Sequence, residues 1–169
     1  MGGVDSVPCV LSFRRAMSAD AETVAAIWAA AESTFMTPAM VEDGPGQVRT
    51  MMETPGAALF IGALHDRDIA TGGRFLAWTS LEDHTPKPGA CHLSLIAVLP
   101  EYQRQGHGLA LVTYLLDEAV EAGFREVSLF VRQENAGAIA LYERLGFAPT
   151  GVTRVSAAEQ MTMQMSRSL

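Results

Sequence analysis

The sequence predicts an α/β fold in which helices flank a mixed central sheet. Three observations predict it. Apolar runs of strand length alternate with segments of helical period, in the order strand, two helices, three strands, helix, strand, helix, one or two strands. Of the 169 residues 49% are hydrophobic and 18% charged, a composition able to bury a core. No internal repeat or low-complexity linker divides the chain, so residues 1–169 read as a single domain, with residues 1–9 as a flexible N-terminal tail.

The elements follow in order. "VLSFRR" (10–15) is a short strand. Ser18 is a plausible N-cap with acidic residues after it, and Val24, Ile27, Trp28 and Ala31 recur at helical spacing. "EDGPGQ" reads as a breaker, and a short helix over 47–53 stops at Pro55 and Gly56. "AALFIGALHD" and "GRFLAWTSLE" make a hairpin, and "EDHTPKPG" (82–89) is a loop. "ACHLSLIAVL" has the mostly apolar character of a strand in mid-sheet, beginning at Cys91, which reads as core. Leu109, Val112, Leu116 and Ala119 form a helical stripe that ends at Gly123. "EVSLFV" is a strand. A helix capped by Asn135 then carries Ala138, Leu141, Tyr142 and Leu145, with Gly146 and Phe147 forming a Schellman ending. "EQMTMQMS" alternates Met161, Met163 and Met165 with Thr162, Gln164 and Ser166, as a half-buried antiparallel strand does. That strand is placed at an edge, where it could pair two copies into a homodimer.

Bulk properties exclude several functions. The net charge is −7 and no basic block occurs, so no nucleic-acid partner is expected. No apolar run has the length of a membrane span, and no signal peptide is legible. "MGGVDS" meets the formal pattern for N-myristoylation, but that short pattern matches often by chance. Two cysteines, Cys9 and Cys91, fit reduced thiols in a cytoplasmic protein. No metal site is expected.

One stretch carries chemistry. In "LIAVLPEYQRQGHGLALV" a strand runs into a turn holding Gln103, Arg104, Gln105, Gly106, His107 and Gly108, and then into a helix. Glycines let the backbone approach a ligand, and unpaired N–H groups at a helix start attract phosphate. The turn is not a Walker loop, because Leu109 and Ala110 stand where Lys and Ser or Thr are needed. It is not a dinucleotide fingerprint either, because position 111 is Leu. By itself it is either a phosphate cradle or a plain tight turn.

A second segment, "NAGAIALYERLGF", lies downstream. Together the two resemble the diagnostic segments of the Gcn5-related N-acetyltransferase (GNAT) superfamily. The Gln/Arg-x-x-Gly-x-Gly/Ala turn is matched by Gln103, Gly106 and Gly108. The Asn-x-x-Ala-x-x-Leu-Tyr-x-x-x-Gly-Phe segment is matched by Asn135, Ala138, Leu141, Tyr142, Gly146 and Phe147. The resemblance extends from about Leu11 onward and is sharp between about residues 91 and 148. It implies a GNAT-like fold whose strands at 91–98 and 126–132 are parallel and splay apart. It implies acetyl-CoA as co-substrate, with its pyrophosphate on the turn's backbone amides. The pantetheine would meet backbone near Ala97 and Val98 on one side and Asn135 on the other. Arg104 either adds charge near phosphate or is a solvated turn residue. His107, where many members carry an aliphatic residue, is expected to face solvent or the cofactor's edge.

The resemblance also implies acetyl transfer to a primary amine, for which a small molecule is the first expectation. A protein N-terminus or lysine is a second, and a non-catalytic acetyl-CoA sensor a third. Tyr142 would then be the general acid that protonates the leaving thiolate, although a tyrosine on an apolar stripe can equally be core. His92, with Ser94 on the same strand face, is the candidate base, or else a strand histidine satisfied by hydrogen bonds. His84 reads as a surface residue and Glu101 as a surface carboxylate. Glu32, Glu42, Asp43 and Glu53, with Phe35, Met36 and Met40, either suit a cationic amine or are simply solvated.

Overall fold

In the computed structural model, residues 11–31, 36–64, 68–79, 86–156 and 158–169 are described, with 68–79 and 86–87 as backbone. The N-terminal tail with Cys9 and the acylation pattern, Glu32, Phe35 and His84 lie outside them.

Seven strands form one sheet in the order β1-β2-β3-β4-β5-β7-β6. They are β1 Leu11–Arg15, β2 Ala57–Leu64, β3 Asp68–Thr79, β4 Pro86–Val98, β5 Glu126–Arg132, β6 Ala148–Val155 and β7 Met161–Ser168. Every neighbouring pair is antiparallel except β4 and β5. The helices are α1 Ala21–Ala30, α2 Pro38–Glu42, α3 Gly44–Glu53, α4 His107–Glu121 and α5 Ala136–Arg144.

Local chemistry explains where several elements begin and end. Met17 and Asp20 bound a single 3-10 turn before α1, and the Asp20 carboxylate accepts the Met17 N–H at 2.7 Å. That carboxylate also takes both guanidinium nitrogens of Arg14 at 2.8 Å. Asp20, and not Ser18, therefore fixes the entry to α1. Helix α2, which the sequence reading missed, starts where Thr37 Oγ1 accepts the Met40 N–H at 3.3 Å. The stretch read as a breaker is the first turn of α3, where Asp43 accepts the Gly46 N–H at 3.0 Å. Pro45 fits there because a first-turn residue has no intrahelical N–H bond to lose. Helix α5 matches its expectation at both ends. Asn135 Oδ1 accepts the Ala138 N–H at 3.1 Å. Gly146 N–H bonds Glu143 and Phe147 N–H bonds Tyr142, with Gly146 at φ +85°.

Two apolar layers hold the sheet. Helices α4 and α5 cover one face through Leu111, Val112, Leu115, Tyr142 and Phe147, against Cys91, Leu93, Val127 and Leu129. Helices α1 and α3 cover the other face, where Val24, Ile27, Trp28 and Val48 pack on Leu59, Ile61, Leu95 and Ala97. Leu93 and Leu95 thus face opposite layers although they are two residues apart. The register accounts for this. Between Ser94, opposite Arg74, and Ala97, opposite Gly72, β4 holds one residue more than β3. Leu95 takes up the extra residue at φ 55°, which makes a bulge that reverses the alternation beyond it.

The same place is where the parallel pair ends. Ala90 to Leu93 pair with Glu126 to Leu129, and no pairing follows, although β4 continues to Val98 and β5 to Arg132. Each stays bonded to its outer neighbour, β4 to β3 and β5 to β7. The strands therefore splay, as expected. Strand β7 lies between β5 and β6, not at an edge, so it cannot pair with a second copy in the way anticipated. Its buried face is also not purely the methionine face, because Thr162 and Gln164 are buried beside Met165.

Candidate active site

The splay opens a cleft of about 1190 Å³ on the α4–α5 side. That is larger than a usual small-ligand pocket and has room for an extended cofactor. Its walls are the end of β4 (Ile96, Ala97, Val98), the glycine turn with the first turns of α4, and α5 with the residues before it, and Ala31 at the end of α1 also reaches it.

The turn is built for close approach. Gly106, at φ +86°, is the N-cap of α4, a backbone conformation in which a side chain is strained. A Cβ on Gly108 would touch Leu141 Cδ1 at 3.5 Å and Val98 Cγ2 at 3.8 Å, so any longer side chain there would enter the cleft. Gln103 donates from Nε2 to the Val98 carbonyl at 2.9 Å, tying the turn to the end of β4. Arg104 extends across the opening toward α5. Its Nη1 lies 3.5 Å from where a Cβ on Gly137 would stand, so Gly137 leaves the guanidinium room.

The structure brings Ala97, Val98, Gln103, Arg104, Gly106, Gly108, Asn135 and Tyr142 into this one cleft. Three other residues singled out from the sequence lie elsewhere. Gln105 turns back to donate to the Glu101 carbonyl at 3.0 Å. His107 is buried at 6% exposure rather than facing outward, with its ring edge-on to Tyr102 at 6.4 Å. It points inward because it opens α4 on the side that packs on the sheet. Only the backbone of Gln105 and His107 is thus available to a ligand on the turn. His92 lies on the other sheet face, buried, its Nδ1 3.1 Å from Ser128 Oγ and its ring 5.7 Å from Phe130. It stands one residue before the last β4–β5 pair, at the base of the splay.

Tyr142 is buried on α5, edge-on to Phe147 at 5.8 Å. Burial pushes its phenol up to about 12, so it keeps its proton through the neutral range. Burial pushes the Cys91 thiol up to about 12 as well.

Some lining residues were not expected at the site from sequence, among them Ala31, Glu134, Gly137 and Arg144. The run of small residues in "NAGAIA" is the signal that could have found part of this wall, since small side chains leave the first turns of a helix bare. Among the described residues, no three His, Cys, Asp or Glu side chains are placed to hold a metal, and no helix is long and apolar enough to cross a membrane.

With this geometry in hand, comparison with known proteins identifies the class. Residues 24–147 match the model of the acetyltransferase (GNAT) family, and the chain belongs to that family. The [ribosomal protein bS18]-alanine N-acetyltransferase of Escherichia coli K12 is 52% identical over 59 residues, 35% of this chain and 40% of that enzyme's length. The mycothiol acetyltransferase of Corynebacterium aurimucosum is 32% identical over 98 residues, 56% of this chain and 31% of that enzyme. The matched stretches thus span less than half of these curated relatives. Two solved structures share the fold over nearly the whole chain. yncA of Salmonella typhimurium, solved with its cofactor acetyl-CoA, has a TM-score of 0.76 at 20% identity, covering 95% of this chain and 94% of that one. The ribosomal-protein-S18-alanine N-acetyltransferase of Escherichia coli has a TM-score of 0.72 at 23% identity, covering 94% of each chain.

Proposed function

We propose that this protein is an acetyl-CoA-dependent N-acetyltransferase whose acceptor is the α-amino group of a peptide or protein N-terminus. The observation that carries the transfer chemistry is the cleft itself, which runs from the glycine turn to a buried, protonated tyrosine beside a pair of separating strands. The acceptor rests on the 52% identity over 59 residues to an enzyme that acetylates the alanine of bS18, which revises the first expectation of a small amine.

The pyrophosphate of acetyl-CoA would sit on the backbone amides from Gln105 to Gly108, with Arg104 spanning the opening. The pantetheine would enter the gap beside Ala97 and Val98, with the Asn135 amide on the other wall. The acceptor nitrogen attacks the thioester carbonyl carbon. A C–N bond forms, the C–S bond breaks, and the amine gives up one proton while the departing thiolate gains one from Tyr142. Backbone N–H groups of β4 beyond Leu93, where β5 has left it, would be the donors to the oxyanion. The amine must first be neutral. An α-amino group with a pKa near ~8 gives up its proton far more readily than a lysine near ~10.4. An imidazole of ordinary strength is a sufficient base for the former. His92, on the face opposite α5, is the proposed base, acting directly or through Ser128 and water.

The test is CoA release, with product mass, for peptides with a free N-terminal alanine, the same peptides with a blocked N-terminus and an internal lysine, and small amines including polyamines. Acetylation of the free α-amine at kcat/KM at least tenfold above the others is expected. Turnover confined to lysine or polyamine would overturn the acceptor assignment. Acetyl-CoA binding with no turnover on any class would overturn the catalytic one.

A further inference from the structure

We propose that Arg132, Arg154 and Phe130 form an acceptor subsite that selects a carboxylate held close to the reacting amine. This rests on the acyltransferase reading above and adds the acceptor's charge. Phe130 and Arg132 occupy the part of β5 that has left β4, so they flank the gap. Val131 between them packs with the α4–α5 layer, which turns Phe130 and Arg132 to the opposite face, the one that carries His92 and Ser128. An acceptor meeting a thioester that enters from the α4–α5 side would approach from that face.

The register brings the two arginines together. Thr162 of β7 pairs with Arg132 of β5 on one side and with Arg154 of β6 on the other, so all three point the same way. Two strand spacings put the arginine Cα atoms about 10 Å apart, a span that two guanidinium groups can close around one carboxylate. Thr162 beneath them is fully buried, and its hydroxyl donates to the Arg154 carbonyl at 3.0 Å, which holds β6 in place. The Arg154 guanidinium lies 3.7 Å from the centre of the Phe130 ring, a stacking that fixes its plane. Arg132 Nε is buried without a hydrogen-bond partner among the described residues. In a chain of net charge −7, two arginines stand in register on the acceptor side of the gap. Such a site favours an acidic neighbour of the amine and disfavours a polycation.

The carboxylate could be an acidic side chain in the first residues of a peptide or the free carboxylate of a short acceptor. The experiment separates them. Amidated hexapeptides with N-terminal alanine and Asp, Asn or Lys at position 2 are compared for kcat/KM, beside alanine and alaninamide. Binding of N-acetyl-Ala-Asp-amide and N-acetyl-Ala-Asn-amide to the protein with CoA is measured by calorimetry. The expected result is at least a tenfold preference for Asp over Asn, and more over Lys, with the acetylated dipeptides in the same order. Arg132→Gln and Arg154→Gln should each bring the ratio within about twofold of unity, while Arg132→Lys should keep most of it. Acetyl-CoA affinity and thermal unfolding report whether each variant is folded. A preference for alanine over alaninamide without one for Asp over Asn would place the selected carboxylate on a short acceptor. Equal rates and affinities for all pairs, or a preference that survives both Gln substitutions, would overturn the proposal. Selective dipeptide binding with no turnover would support the subsite while overturning the catalytic reading.

Discussion

Tyr142 and His92 divide the proposed proton traffic between two faces of one sheet. Replacing Tyr142 with Phe should lower kcat about 10²- to 10³-fold, the range typical of losing a general acid, while acetyl-CoA affinity stays within about twofold. Because burial holds the phenol at about 12, no basic limb from this residue should appear below pH 10. A limb in that range that Tyr142→Phe removes would show a phenol much less shielded than its 8% exposure indicates. His92 makes the opposite demand. If it takes the amine's proton, the rate falls as pH drops through the imidazole's titration, and His92→Ala should flatten that acidic limb. An unchanged limb would remove His92 from the mechanism. The chemical types of both residues were legible in sequence. Their opposite faces were not, because a motif gives spacing along the chain and not which side of a sheet a side chain leaves.

Among the elements, β4 and the turn after it decide the site. The bulge at Leu95 lets Leu93 serve one layer and Leu95 the other, and it falls where β5 departs. Gly108→Val should weaken acetyl-CoA binding at least tenfold with little change in unfolding temperature, since the added methyls project into the cleft toward Leu141. A large loss of stability instead would mark Gly108 as a packing position. At the start of α1, the Arg14 guanidinium and the Met17 N–H hold the Asp20 carboxyl below the usual range. A depressed carboxylate stabilises the fold above its unfolded value of about 4, and that contribution is lost as pH falls through the folded value. Asp20→Asn should therefore unfold more easily at pH 7, by about 1–2 kcal/mol, with the difference shrinking below about pH 4. Denaturant titration at both pH values checks this. Periodicity revealed α4 and α5 because each has a long apolar stripe. It missed α2 and the start of α3, where a five-residue helix and a Gly-Pro-Gly first turn depend on the caps Thr37 and Asp43.

Over the whole molecule, the cleft joins β4, α4 and α5, so its ligand bridges elements that otherwise meet only through the core. Acetyl-CoA at a hundred times its Kd should add about 2.7 kcal/mol and raise the unfolding temperature by roughly 5–10 °C. CoA lacking its phosphates should do much less, and equal shifts for both would move the main contact away from the turn. The position of β7 inside the sheet also reassigns the open edges to β1 and β6. Most of β6 is exposed, and its bulge near Gly151, at φ +88°, bends the edge and makes it a poor template for pairing.

The sequence by itself determined the class of fold, the glycine turn, the capped helix that carries Tyr142, and through them the family. Each of these is written in local terms: a period, a cap, a backbone that needs glycine. The tertiary structure decided what depends on register between distant segments. It placed β7 within the sheet, turned His107 inward, and set His92 behind the cleft. It also aligned Arg132 with Arg154 across Thr162. Strand order and bulges fix those relations, and a single extra residue in β4 exchanges the faces of everything beyond it.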